Sequence, residues 1–204
     1  MNLYLIRHGE TAYNRDGVGF GRSDVPLTDL GRRQAEATGR RLEGAAVEAV
    51  YSSPLQRARA TADLLAAAAH REVLVDERLI ELEVGETEGL PFTELRERYP
   101  DLLRRWAGPD GHNVRLPGGE SIADLYGRVA DFMESLTHSE AKKIAIVSHN
   151  FVLRVMLCHL IGLPISEFRR VSVDLSSLSI FDWTPERTFV RTINDRCHLD
   201  GLDS

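Results

Sequence analysis

The chain has 204 residues, 43% of them hydrophobic, which is enough for one domain with a sizeable core. The formal net charge of −6 argues against nucleic acid or an anionic membrane as the main partner. The two cysteines form no CxxC pair, and neither a disulfide framework nor a zinc-site spacing is present. We therefore expect a single domain over residues 1–204 that holds no metal.

The first ten residues, MNLYLIRHGE, lack the basic stretch, long apolar run and cleavage site of a signal peptide. The most apolar later window, residues 151–163, contains Arg154 and His159 and is too short to span a bilayer. These two observations predict a cytoplasmic protein without a membrane partner.

Short apolar runs predict the β-strands. Residues 3–6 are apolar at every position, which is typical of strands buried on both faces of a parallel sheet. Comparable runs occupy residues 47–51, 73–75, 144–147, 178–181 and 189–193.

Capping residues and helical spacing predict four helices between these strands. Ser53-Pro54, a capping residue followed by proline, predicts a helix that begins there. Ser121, with Asp124 in the capping-box position, predicts another. The predicted helices run from Thr28 to about Glu43, from Ser53 to about Ala69, from Ser121 onwards, and from after Asn150 to Gly162.

The alternation of strands and helices predicts an α/β fold, a three-layer α/β/α sandwich with a mostly parallel central sheet. Residues 90–120 contain four prolines and several glycines, so we expect an insertion of short helices and loops over the site. Phe92, Tyr99 and Trp106 are expected to form the core of this insertion rather than a wall of the substrate site.

Ligands of open α/β sheets bind at the carboxyl ends of the strands. Arg7 and His8 follow the first predicted strand, and His149 follows the strand at residues 144–147. Arg57 lies one helical turn after the strand at residues 47–51. The sequence therefore predicts a cluster of two histidines and two arginines at one edge of the sheet.

This cluster suits a phosphoryl group. Arginine offers a planar fork of donors that matches phosphate oxygens, and a neutral imidazole can attack phosphorus to form a covalent intermediate. A carboxylic acid is also needed to protonate the leaving oxygen. Glu81 and Glu83 would share one face of a strand, and their spacing alone does not choose between them.

Six elements occur in order along the chain and resemble those of the histidine phosphatase superfamily, in its phosphoglycerate mutase-like branch. They extend the resemblance from Leu3 to about Asp195. The elements are Arg7-His8-Gly9-Glu10-Thr11 with Asn14; Pro26-Leu27-Thr28 with Gly31 and Gln34; Ser52-Ser53-Pro54-Leu55 with Arg57, Ala58 and Thr61; Leu79, Glu81, Gly85 and Glu88-Gly89; Pro117-Gly118-Gly119-Glu120-Ser121; and Val147-Ser148-His149.

The resemblance implies a phosphoglycerate mutase-like fold, a nucleophile at His8, and Glu81 as proton donor and later base. It implies no metal and no other cofactor. The expected catalytic residues are His8, Glu81 and His149, and the expected phosphate-binding residues are Arg7, Asn14, Arg57 and Asn150. Two positions depart from the family pattern, because Asn150 replaces the usual glycine after the second histidine and Thr87 replaces a common tryptophan.

The function expected first is hydrolysis of a small-molecule phosphomonoester through a phosphohistidine. The alternatives are a cofactor-dependent phosphoglycerate mutase and a non-catalytic module that binds a phospholigand. The segment between Gly89 and Pro117 is shorter than the insertion that is typical of cofactor-dependent mutases. This favours hydrolysis, because a less enclosed site admits water. Activity is expected to fall on the acid side of neutral, where protonated His8 cannot attack. The physiological substrate and a homodimeric state are left open.

Overall fold

A six-stranded sheet forms the centre of the structure, a computed structural model that describes residues 1–202. The strand order is β3-β2-β4-β1-β5-β6. The first four are mutually parallel, whereas β5 and β6 pair antiparallel at one edge. This confirms the predicted mostly parallel sheet. The strands are β1 Asn2–Arg7, β2 Ala49–Ser52, β3 Val73–Val75, β4 Lys143–Ser148, β5 Leu178–Thr184 and β6 Arg187–Asp195.

Helices cover both faces of the sheet and complete the predicted three layers. The second and third helices pack on one face, and the sixth and seventh pack on the other. Within residues 1–202, no helix is long and apolar enough to cross a membrane. The helices are α1 Ala12–Arg15, α2 Asp29–Leu42, α3 Gln56–Ala69, α4 Phe92–Arg98, α5 Pro100–Ala107, α6 Ile122–Leu136 and α7 Asn150–Ile161.

The all-apolar strand β1 contributes to both cores. Leu3 and Leu5 pack in the cluster that contains α6 and α7, whereas Tyr4 and Ile6 pack in the cluster that contains α2 and α3. Successive side chains of a strand point to opposite faces, so a central strand of a three-layer fold needs apolar residues at every position.

Two of the predicted helix starts are confirmed and one is wrong. Thr28 caps α2 through Gly31 N, and Ser121 forms a capping box with Asp124. Ser53, in contrast, is not an N-cap, because α3 begins at Gln56. Leu55, with extended dihedral angles, is the N-cap residue, and the Ser53 hydroxyl accepts from the Leu55 amide at 3.3 Å and lies 2.7 Å from His149 Nε2. Tertiary contacts thus override a strong local signal.

The segment of residues 90–120 contains the short helices α4 and α5, and Trp106 anchors it to the rest of the protein. The Trp106 ring lies edge-on to Phe151 of α7, at 5.8 Å between centroids, and to Phe168, at 5.9 Å. This agrees with the expectation that Trp106 is a core residue of the segment. The indole of Trp106 also lines the cavity described below, so the expectation that it forms no wall of the site is wrong. The prediction for Phe92 is wrong as well, because Phe92 is 61% exposed and lines the same cavity.

Candidate active site

The sheet register brings the two histidines together. Arg7 of β1 pairs with Ser148 of β4, and each histidine is the next residue of its chain segment. The His8 amide extends this ladder by donating to the Ser148 carbonyl at 3.1 Å. The rings of His8 and His149 consequently lie 5.1 Å apart between centroids. The two histidines are therefore adjacent because β1 and β4 are parallel neighbours whose last residues are paired.

His8 has one ring nitrogen committed to the backbone. Its Nδ1 lies 2.7 Å from the carbonyl oxygen of Gly9. A carbonyl only accepts hydrogen bonds, so Nδ1 carries the proton and Nε2 of the neutral ring carries a lone pair. This is the tautomer that an attack on phosphorus requires.

Burial keeps both histidines neutral. The side chains of His8 and His149 are 2% and 0% exposed. Burial, followed by the positive charge of Arg57, lowers the pKa of each imidazole well below its usual value of 6.5. A neutral imidazole is thus present at position 8 over a wider pH range than the sequence alone suggests.

His149 is held between a serine and an arginine. Arg57 Nε donates to His149 Nδ1 at 3.2 Å, and the other ring nitrogen lies 2.7 Å from Ser53 Oγ. Since Nδ1 accepts, Nε2 carries the proton and donates to Ser53. His149 therefore lies behind Arg57 and beside His8, and it does not line the cavity that those two residues face.

Arg57 is fixed by two further hydrogen bonds. Its Nη1 donates to the Ser23 carbonyl at 2.6 Å, and its Nη2 donates to the Gly21 carbonyl at 2.7 Å. The Glu88 carboxylate in turn accepts from the amides of Gly21, Arg22 and Ser23. Glu88 thereby shapes the loop that positions Arg57. The Glu88-Gly89 motif is recognisable in the sequence, but the contact of Glu88 with this loop cannot be predicted from it.

Arg7 contributes a second guanidinium with an unpaired donor. Nη1 donates to the Val173 carbonyl at 2.7 Å, whereas the buried Nε has no hydrogen-bond partner. Burial lowers the pKa of Arg7 and of Arg57 to about 10, so both remain cationic at neutral pH. An unpaired buried N–H beside His8 is suited to an anionic oxygen.

Asn14 and Asn150 both line the same cavity. The Oδ1 atom of Asn14 accepts from the amide and hydroxyl of Thr11, which leaves its NH2 group as a donor for a ligand. The Oδ1 atom of Asn150 accepts from Arg154 Nε at 3.1 Å. Asn150 begins α7 with a helical backbone, so the usual glycine is not needed for the turn.

The structure distinguishes the two candidate acids. Glu81 is 4% exposed and lines the cavity, and its carboxylate accepts from the amides of Leu82 and Phe151. Burial is the largest influence on Glu81 and raises its pKa above the usual 4.5, despite these donors and the nearby arginines. Glu83 instead forms an ion pair with Arg22 at 2.9 Å. Of the two candidate acids, only Glu81 lines the cavity.

The backbone of Glu81 is held by two arginines that the sequence did not single out. Arg22 Nε and Arg128 Nη2 each donate to the Glu81 carbonyl at 3.1 Å. Glu120 Oε2 connects these arginines, at 3.2 Å from Arg22 and 3.1 Å from Arg128. This network fixes the segment that carries the acid.

Six of the seven predicted site residues line one cavity of about 360 Å³, and His149 lies directly behind it. Thr87, at the position of the common tryptophan, also lines the cavity and donates to the Val84 carbonyl.

Among residues 1–202, no group of three His, Cys, Asp or Glu side chains is placed to hold a metal ion. His198 near the C-terminus contacts Ser176 and Thr38.

Comparison with known proteins gives the family. The profile of the histidine phosphatase superfamily (branch 1) matches residues 3–196. The chain belongs to this superfamily. It is similar to phosphoserine phosphatase 1 of Hydrogenobacter thermophilus, with 34% identity over 98% of this chain and 94% of the relative. It is also similar to a Salmonella choleraesuis protein named "Probable phosphoglycerate mutase GpmB", with 33% identity over 98% of this chain and 96% of the relative.

Solved structures of this superfamily share the fold. The alpha-ribazole phosphatase of Shigella flexneri superposes with a TM-score of 0.88 at 30% identity, covering 96% of each chain. The relatives thus carry both phosphatase and mutase names, so superfamily membership alone does not choose between hydrolysis and mutase activity.

Proposed function

We propose that the chain is a phosphatase that hydrolyses small-molecule phosphomonoesters through a phosphohistidine at His8, without a metal. The hydrogen bond from His8 Nδ1 to the Gly9 carbonyl carries this proposal, because it leaves a lone pair on Nε2. Two cationic guanidinium groups and a buried carboxyl group of raised pKa line the same cavity. A cytoplasmic location is part of the proposal.

The first half-reaction transfers the phosphoryl group to the enzyme. His8 Nε2 attacks phosphorus, the N–P bond forms, and the P–O bond to the leaving group breaks. The leaving oxygen takes the proton of Glu81. Arg7 and Arg57 stabilise the negative charge on the phosphoryl oxygens, and His149 and Ser53 hold Arg57 in place.

The second half-reaction regenerates the enzyme. Ionised Glu81 takes a proton from water, and the water oxygen attacks the phosphorus of phosphohistidine. The N–P bond breaks, its electron pair returns to His8 Nε2, and inorganic phosphate leaves. A mutase would instead return the phosphoryl group to a second hydroxyl.

Phosphate release from a panel of phosphorylated metabolites, with and without EDTA, tests this proposal. We expect turnover that EDTA does not change and acid-quenched enzyme that carries label from a labelled ester. Both signals should disappear in His8→Ala and persist in His138→Ala, a change at an exposed histidine. Interconversion of phosphoglycerates that depends on a bisphosphate primer would indicate the mutase, and binding without turnover would indicate a non-catalytic module.

A further inference from the structure

The cavity has two chemically different ends. The polar end contains the side chains around His8. The other end is apolar, and α4, α5 and their flanking residues form much of it. Six apolar side chains of this segment line it: Leu90, Phe92, Leu95, Leu102, Leu103 and Trp106. Leu82, Val84 and Phe151 also line the cavity, and the Phe151 ring packs edge-on against Trp106.

Charged groups are confined to the polar end. Of the described residues that line the cavity, only Arg7, Arg57 and Glu81 have ionised or ionisable side chains other than His8. All three are assigned above to the phosphoryl group and the proton transfer. Arg96 and Arg169 lie over the rings of Phe92 and Trp106, at 5.5 and 4.5 Å from the ring centroids, but neither arginine lines the cavity. A carboxylate, ammonium or second phosphate group in the apolar end would therefore contact no charged side chain of the lining, and burying an unpaired charge is strongly disfavoured.

The cavity is large enough for more than a phosphoryl group. Its volume of about 360 Å³ is more than twice the roughly 150 Å³ of an apolar cavity that holds one benzene ring. A phosphoryl group at His8 therefore leaves space for a ring or for an aliphatic group of similar size beside Phe92 and Trp106.

We infer, on the basis of the proposed function, that the substrate is the phosphomonoester of an apolar alcohol whose aromatic or aliphatic group occupies this end of the cavity. Specificity then comes from burying hydrocarbon rather than from recognising a second charged group. Phosphoserine and phosphoglycerates, whose carboxylates would enter the apolar end, are correspondingly poor substrates.

A homologous series of alkyl phosphates tests the inference. From ethyl to butyl to hexyl phosphate we expect kcat/KM to rise about twofold to fourfold per methylene group, as more hydrocarbon is buried. Phosphoserine and 3-phosphoglycerate should have lower kcat/KM than hexyl phosphate. A flat or falling series, or preference for either carboxylated ester, would overturn the inference.

Two variants locate the effect in the cavity wall. Phe92 is 61% exposed, so Phe92→Ala should fold normally while reducing the ratio of kcat/KM for hexyl over ethyl phosphate. Leu95→Lys should reduce this ratio further and raise the relative kcat/KM for 3-phosphoglycerate. Phe189→Ala is the matched control, because Phe189 is 47% exposed on β6 and does not line the cavity. An unchanged ratio in both cavity variants would contradict the assignment.

The failure of this inference differs from the failure of the proposed function. If no phosphate ester is hydrolysed and His8 is never phosphorylated, the proposed function is wrong and the inference falls with it. If carboxylated esters are hydrolysed faster through a phosphohistidine, the proposed function stands and only the inference about the apolar group is wrong.

Discussion

The Nε atom of Arg57 donates a hydrogen bond to the Nδ1 atom of His149 at 3.2 Å, so the second histidine acts as an acceptor towards the arginine. The ring can accept only while it is neutral, and its burial favours that state. His149 therefore contributes to the site in part by orienting Arg57, which itself faces the cavity.

Arg57→Lys tests this arrangement. Lysine keeps the charge but loses the planar fork that contacts His149 and two carbonyls. We expect kcat/KM to fall about 10²- to 10³-fold, the usual effect of removing one donor that stabilises a transition state. Arg59→Lys is the control, since this neighbouring arginine pairs with Asp63 at the surface and should change kcat/KM little. Equal losses in the two variants would refute the role of Arg57.

Ser53→Ala removes the acceptor of the His149 Nε2 proton. The buried N–H is then unpaired, which costs about 1–3 kcal/mol, so we expect kcat/KM to fall about tenfold as His149 and Arg57 lose their alignment. Ser53→Thr keeps a hydroxyl and should restore most of the activity. If the alanine variant is as active as the wild type, the serine does not position His149.

Glu81→Gln and Glu83→Gln distinguish the two acids. A glutamine at position 81 cannot donate the proton to an alkyl leaving group, so we expect kcat for an alkyl phosphate to fall about 10²- to 10⁴-fold. The loss should be much smaller for 4-nitrophenyl phosphate, whose leaving group needs little protonation. Glu83→Gln should affect both substrates equally and weakly, because Glu83 pairs with Arg22. A leaving-group dependence in Glu83→Gln would reverse the assignment.

The pH dependence of kcat/KM should reflect the two shifted groups. His8 must be neutral to attack, and its lowered pKa places the acid-side loss of activity well below pH 6.5 rather than near neutral. Glu81 must be protonated to donate, so activity with an alkyl phosphate should fall as pH rises through the raised pKa of Glu81. In Glu81→Gln the alkaline fall should disappear. If the wild type instead loses activity on the acid side with a midpoint at pH 6.5, the pKa of His8 is not lowered and the prediction is wrong.

Stability should respond oppositely to alanine at two helical glycines. A Cβ on Gly31 would overlap the backbone of Glu10, where the turn after His8 crosses the start of α2. We expect Gly31→Ala to lower the free energy of unfolding by about 1–3 kcal/mol. Gly127 of α6 is exposed with open space around it, so Gly127→Ala should raise that free energy by about 0.5–1 kcal/mol. Urea unfolding monitored by circular dichroism measures both, and the same sign in both variants would contradict the packing argument.

Particular residues show which features of the fold and the site can be predicted from the sequence. The apolar run of β1 and the histidine after it predict a buried strand that ends in the site. This prediction succeeds because the apolar pattern of a strand is a local property of the sequence, and ligands of such sheets bind where the strands end. The start of α3 is predicted wrongly, because the Ser53 hydroxyl contacts the Leu55 amide and His149, a residue 96 positions away, rather than capping a helix that begins at Pro54. The support of Glu81 by Arg22 and Arg128 has no local signal, since its three members come from separate parts of the chain.

The sequence by itself determined the family and the layered α/β fold and predicted a set of candidate site residues, since these follow from short motifs and from the period of apolar residues. Only the tertiary structure decided which acid enters the cavity, which tautomer each histidine adopts and that the far end of the cavity is apolar. Burial and hydrogen-bond partners set those properties, and both depend on residues that are distant in sequence and adjacent only after folding.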